Sequence, residues 1–348
     1  MQRNDSLDFL KFFAIFCVVS IHTRPFSSDS SYAINGEYID LLINTFSRFA
    51  VPLFFLIAGY LIGQKKTSDK LTFAYQKKYL VKLTKILLVW TAFYFVYDIF
   101  LTIFKSYRDN KDAVEELFNQ LSNISPSAVF YGLDIATGYQ LWYLAALIWA
   151  ALFLFLAIRF NKVGLLFLAA LVLHTIGLFG QSYSVFLESP LLLETRDPFF
   201  FSLLYVTLGY WISQQHAGKE VRVSMPVIIT SILFFSFLQI GENVMLIETY
   251  GAEIGGNYFI FTLPASVAIL FLALKQPDLN VPLLNKIGAN SVGIYVIHPF
   301  FISLIDQIIS FLHMEEVQET LAWNLLYTPF IFVISYAGYS LLQRMKPK

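Results

Sequence analysis

A few basic residues and histidines in apolar surroundings are the chemistry this sequence offers. Lys11 and His22 stand eleven residues apart in the run Leu7 to Thr23, which is otherwise mostly Phe, Ile, Val, Leu and Ala. On a helix, eleven steps end only about 20° past three full turns, so both share one face, about 16 Å apart along the axis. Asp8 is spaced i,i+3 from Lys11 and can pair with it. Arg48 lies in the apolar stretch Phe46 to Tyr60, four residues before Pro52, which frees a backbone carbonyl and can kink a helix. Lys78, Lys82 and Lys85 follow at i, i+4 and i+7 and share a face. Late in the chain, Tyr295, His298 and Pro299 fall in another apolar run.

Each of these has two readings. Charge inside a membrane is costly and marks function by default. Against that, long basic side chains snorkel to the interface, and lysine clusters anchor anionic lipid. For Lys78, Lys82 and Lys85 the functional reading is a basic mouth for a phosphorylated donor. A lone buried histidine is more often structural than catalytic. His174, without a charged companion, is read as structural, whereas Pro299 beside His298 suggests a locally opened backbone. Trp142 and Tyr143 begin a helix at a membrane interface, where aromatic belts are ordinary.

The elements that must position these groups follow from composition. Apolar residues are 57% of 348, about the number that ten spans of roughly 20 residues need. Charged residues are 14%, against roughly 25% in soluble domains, and mean hydropathy is +0.62. The chain therefore reads as an all-α, polytopic membrane protein, a single domain over residues 1–348. Ten helices are expected near Leu41–Gly63, Leu80–Phe104, Leu141–Ile158, Val163–Gly180, Phe199–Ile212, Val227–Gly241, Tyr258–Leu274, Val292–Leu312 and Ala322–Leu342, with Leu7–Thr23 as the first. No small-x-small cleavage site follows that first run, so it reads as a helix and not a signal peptide. Phe16 before Cys17 is too large for a lipoprotein site. Lys and Arg in alternate connections divide 17 to 5, which places both termini in the cytosol. The longest connection, Lys105 to Gln140, would lie outside, with an amphipathic helix around Asp112–Leu121.

Several classes are excluded. Net charge is zero, with 24 basic and 24 acidic residues, so bulk electrostatics do not favour nucleic acid. One cysteine permits no intrachain disulfide. There is no phosphate-binding glycine loop, no Gly-x-Ser-x-Gly elbow, and no His-Glu-x-x-His or cysteine pair for a metal. No channel-like filter or arginine-rich voltage sensor is present.

Taken in order, the motifs resemble the acyltransferase-3 superfamily of bacterial membrane acyltransferases. The resemblance rests on Arg3-Asn4-Asp5-Ser6-Leu7-Asp8 and the helix-1 pattern of a basic residue, ten positions and a histidine, met by Lys11 and His22. It continues through Val51-Pro52-Leu53-Phe54-Phe55 with Gly59 and Tyr60, through Lys82-x-x-Lys85, and through Leu141-Trp142-Tyr143-Leu144. It ends in Ser291-Val292-Gly293-Ile294-Tyr295-Val296-Ile297-His298. Two departures stand out. Lys82 and Lys85 replace arginines, and lysine lacks the planar fork for bidentate phosphate binding. Ala58 stands where a serine is frequent in the family.

The resemblance implies transfer of an acyl group, most often acetyl, from cytosolic acyl-CoA to a sugar hydroxyl of an exported or lipid-linked glycan. It implies the bacterial cytoplasmic (inner) membrane as location and membrane lipids as surroundings. With the chain ending soon after the tenth helix, no fused extracytoplasmic hydrolase-like domain is expected. The roles that follow are His22 as general base or transient acetyl carrier, and Lys11 as a catalytic group that holds the donor or polarises its thioester from the cytosolic half. Arg48 would order the site, and Lys78, Lys82 and Lys85 would meet the donor's phosphates. Trp142 and Tyr143 would offer aromatic faces to the acceptor, with Tyr295 also on the substrate side and His298 as a proton partner or a positioning group. The rival class is a transporter or flippase for a polar lipid or glycan, which would move its substrate without consuming acyl-CoA.

Overall fold

The computed structural model describes residues 4–26, 36–122, 136–189, 191, 195, 198–216, 219–252, 256 and 258–345. These are overwhelmingly helical, with no strand among them. Every one of the ten expected segments contains a helix. Seven described spans are long and apolar enough to cross a membrane. The helices α7 (Val163–Phe179), α8 (Leu203–Gln215) and α10 (Thr262–Lys275) are shorter.

The first helix, α1 (Asp5–Thr23), begins where the Asn4 side chain accepts the Leu7 N–H at 3.1 Å. Asp5 and Asp8 occupy its first turn, where the helix dipole favours negative charge. The Ser6 hydroxyl donates to the Gln276 carbonyl and accepts the Leu279 N–H at 3.0 Å. Asn285, on the short helix α11 (Pro282–Ala289), donates to the Asp5 carbonyl at 2.8 Å. The opening Asn-Asp-Ser stretch thus starts α1 and fastens its base to the turn leading into α11. At Gly288 a Cβ would sit 1.8 Å from the Asp8 carbonyl oxygen, so only glycine permits this approach. Ala14, Ile15 and Val19 are fully buried, placing the middle of α1 in the interior of the bundle.

The second expected helix is broken. α2 (Gly36–Ser47) stops, Arg48 and Phe49 form a turn, and α3 (Ala50–Thr67) resumes. Pro52 accounts for the break, because it cannot donate to the Arg48 carbonyl. The loosened turn is held from outside. Gln239 of α9 (Met225–Tyr250) donates to the Thr45 carbonyl, and Asn243 donates to the Thr45 hydroxyl at 2.7 Å. Below the break, α3 crosses α8 at backbone contact. A Cβ on Gly59 would lie 1.9 Å from the Val206 carbonyl oxygen, and one on Gly209 2.1 Å from that of Leu56.

The remaining helices enclose this centre. The 36-residue α4 (Phe73–Arg108) turns Leu88, Val89, Val96 and Phe100 outward, a greasy exterior suited to lipid. α5 (Ala113–Ser122) is the expected amphipathic helix, with the Asp112 side chain accepting the Val114 N–H at 2.8 Å. α6 (Trp142–Arg159) follows a short turn over Tyr139–Leu141. α12 (Ser291–Leu312) and α13 (Leu321–Arg344) complete the bundle beside α1.

Candidate active site

His22 lies in the last turn of α1, and His298 is fully buried on α12. Their rings meet: Nδ1 of His22 is 2.7 Å from Nε2 of His298, with the ring planes 8° apart. The proton positions follow from the neighbours. Nδ1 of His298 lies 3.2 Å from the Ile294 carbonyl oxygen, which can only accept, so that nitrogen carries the hydrogen. In the neutral ring Nε2 of His298 is then an acceptor, and Nδ1–H of His22 donates to it. This assigns the lone pair of His22 to Nε2, the tautomer a general base needs.

Pro299 makes the arrangement possible. It cannot donate to the Tyr295 carbonyl and opens the α12 turn around His298. The Val296 carbonyl in that turn accepts from the Tyr94 hydroxyl at 2.7 Å and from Gln140 Nε2 at 3.3 Å. Because Val296 offers only an acceptor, the Gln140 amide must turn its NH2 toward it, and Oε1 faces away. That oxygen is buried without a hydrogen-bond partner.

Around the histidines is a small chamber of about 40 Å³ whose walls include His22, Arg48, Gln140, Trp142, Tyr143 and Tyr295. Six residues of the sequence reading therefore converge: His22, Arg48, Trp142, Tyr143 and Tyr295 line it, and His298 stands behind His22. Arg48 reaches it because the α2–α3 break places its side chain beside α1. The Tyr143 ring packs against Phe55 at 4.6 Å and Tyr295 at 5.2 Å, and the Trp142 ring against Phe201 at 5.9 Å. An apolar crevice lined by Val18, Val51, Phe54, Tyr143, Val292 and Tyr295 continues from the chamber toward the start of α12.

The other four predicted residues lie elsewhere. Lys11 pairs with Asp8 at 3.1 Å, three turns below His22, and does not line the chamber. Lys78, Lys82 and Lys85 are exposed on α4, away from the chamber wall. His174 is buried behind the wall, against Tyr258 at 5.3 Å and Tyr205 at 5.5 Å. Sequence reasoning missed Gln140, Phe201 and Tyr258 as wall residues. Gln140 precedes the Leu-Trp-Tyr-Leu stretch with no spacing signal of its own, and the two aromatics are indistinguishable by type from the chain's many others. Among the described residues no cluster of histidine, cysteine and carboxylate side chains could hold a metal.

No solved structure matches the chain. It is 30% identical over 330 residues to an amino-acid racemase of Enterococcus faecalis, covering 88% of this chain and 42% of that protein. It is 26% identical over 327 residues to a serine/alanine racemase of Enterococcus gallinarum, covering 87% and 41%. The chain thus spans less than half the length of these relatives, and their names describe whole proteins. The acyltransferase domain family matches residues 4–340, nearly the full chain, including both histidines, the broken second helix and the opened turn at Pro299. The chain belongs to the acyltransferase-3 family.

Proposed function

We propose that this protein is a membrane O-acyltransferase that moves an acyl group, acetyl in the first instance, from cytosolic acyl-CoA to a hydroxyl of a cell-surface or lipid-linked glycan. The observation that carries the reading is the His22–His298 pair at a chamber shared with Arg48. Nε2 of His22 takes the hydroxyl proton as the oxygen attacks the thioester carbonyl. His298 fixes the tautomer and accepts the Nδ1–H bond that strengthens as His22 becomes cationic. The Arg48 guanidinium supplies positive charge to the tetrahedral oxyanion. Collapse breaks the carbon–sulfur bond, and the proton on His22 passes to the leaving thiolate. The ester and free CoA are the products.

The two kinds of lining suit two substrates. The apolar crevice leading to the start of α12 holds only about 10 Å³ and would have to widen to take the slender arm of an acyl-CoA. It approaches from the end of the bundle that carries Lys11 and, by the Lys/Arg bias, faces the cytosol. Lys78, Lys82 and Lys85 offer charge to the donor's phosphates at that end. A bacterial cytoplasmic membrane location accompanies this reading.

The test is acetyl-labelled acetyl-CoA added to purified protein in lipid vesicles with a bacterial glycolipid fraction. Stoichiometric CoA release and labelled glycolipid are expected. Glycolipid movement across the vesicle without CoA release would overturn the reading in favour of a transporter.

A further inference from the structure

The catalytic chamber is too small for a sugar. Its volume of about 40 Å³ has room for only about three waters, at roughly 10–15 Å³ each by this measure. It admits a reacting group only, so the body of an acceptor must rest next to it. The rings of Trp142 and Tyr143 are already packed against neighbours and offer no open face of that size.

A second cavity of about 430 Å³ lies on the far side of Tyr139 and Pro299. This volume is in the ordinary range for a small-molecule site. The two spaces share a partition. The Tyr139 ring meets His22 edge to face, 5.0 Å away and at 79°, and Pro299 follows His298 directly. Gln140, next to Tyr139, is 1% exposed and lines the chamber, and its Oε1 is buried without a hydrogen-bond partner, which only a donor could supply.

The lining of the second cavity mixes polar and apolar groups and includes two carboxylates against one cation. Asp98 from α4 and Asp306 from α12 face it, with Lys105 as the single cation among its lining residues. Asp98 is buried and accepts the Thr137 N–H at 3.2 Å, and Asp306 accepts the Tyr327 hydroxyl at 3.4 Å. Hydroxyl and amide groups, Thr102, Ser303 and Gln307 among them, complete the wall. Carboxylates accept hydrogen bonds and, where ionised, repel anions.

We propose that this cavity holds the body of the acyl acceptor, and that the acceptor there is a neutral or amine-bearing polyhydroxyl group, not an acidic one. Its reacting hydroxyl passes Tyr139 into the chamber, where Gln140 Oε1 accepts from a neighbouring donor on the same molecule. The inference rests on the acyltransferase reading above.

The experiment measures labelled acetyl transfer to the glycolipid fraction at saturating acetyl-CoA, with glucosamine, glucose and glucuronate as competitors. Wild-type protein is expected to be inhibited at the lowest concentration by glucosamine, then glucose, then glucuronate, with about tenfold or more between the extremes. Asp306→Asn should narrow that spread to within about threefold, with the acetyl-CoA KM unchanged. Asp98→Asn is read in the same way if the first variant does not fold. Equal inhibition by the three sugars, tightest inhibition by glucuronate, or no inhibition by any would overturn the proposal while the acyltransferase reading stands. Absence of transfer by the wild type would remove that reading and this inference with it.

Discussion

At the scale of single residues, the account depends on where protons sit. Backbone carbonyls fix the chain of donors from His22 through His298 to Ile294, because they cannot donate. His298→Ala removes the partner that holds His22 in its basic tautomer. We expect kcat to fall by about 10²-fold or more with little change in either KM, measured by CoA release. An unchanged kcat would make His298 a packing residue. Lys11 sits beside Asp8, at the end proposed to receive the donor, and does not line the chamber. Lys11→Ala should therefore raise the acetyl-CoA KM and leave kcat at saturation unchanged, and a fall in kcat at saturating donor would contradict that placement. Much of this site was legible in advance. Lys11 and His22 announce themselves as costly groups in an apolar run, and Arg48 does the same. Their partners did not, because the His22–His298 contact joins residues 276 positions apart and no local spacing encodes it. Gln140 was invisible for the same reason: its importance comes from the carbonyl that Pro299 exposes on another helix.

At the scale of elements, the working parts are interruptions in regular structure. The turn at Arg48 and the opened turn at Pro299 bring polar groups to one point in an otherwise apolar bundle. Pro52 and Pro299 predict both interruptions from sequence. What sequence does not show is how they are held, by Gln239 and Asn243 at one and by Tyr94 and Gln140 at the other. The α3–α8 crossing below Arg48 is equally dependent on small residues. Gly59→Leu would force the Val206 backbone away, and overpacking of this kind costs about 1–3 kcal/mol or more. The expected outcome is a lower melting temperature in detergent together with lost turnover. A variant of wild-type stability would show that the two helices separate freely. On α4, Lys82 and Lys85 share an exposed face with Lys78. The double change Lys82→Ala/Lys85→Ala should weaken acetyl-CoA binding at low ionic strength and have less effect at high salt. Binding that is unaltered at low salt would assign these lysines to lipid alone.

At the scale of the molecule, composition and the hydropathy pattern locate helices at all ten expected positions, because lipid demands long apolar runs with internally satisfied backbones. Length is where the elements depart from expectation. α4 and α9 run to 36 and 26 residues, whereas α7, α8 and α10 are shorter than a full span. Two of the short helices pack inside the assembly: α8 is mostly buried, and α10 keeps Ala265, Ser266 and Leu270 in the core, whereas α7 turns Leu165, Leu168 and Val172 outward. Neighbouring helices can cover what lipid would otherwise meet, so a simple length rule underestimates such elements. The histidine pair stands beside a chamber that shares wall residues with an apolar crevice, and Tyr139 and Pro299 separate it from a larger cavity. The most direct test of the whole uses sealed vesicles containing wild-type or His22→Ala protein, with labelled acetyl-CoA on one side and labelled product measured on the glycolipid. The account predicts CoA release and glycolipid labelling by the wild type, and neither by a His22→Ala protein that elutes and melts as the wild type does. Near-normal labelling by that variant would contradict it.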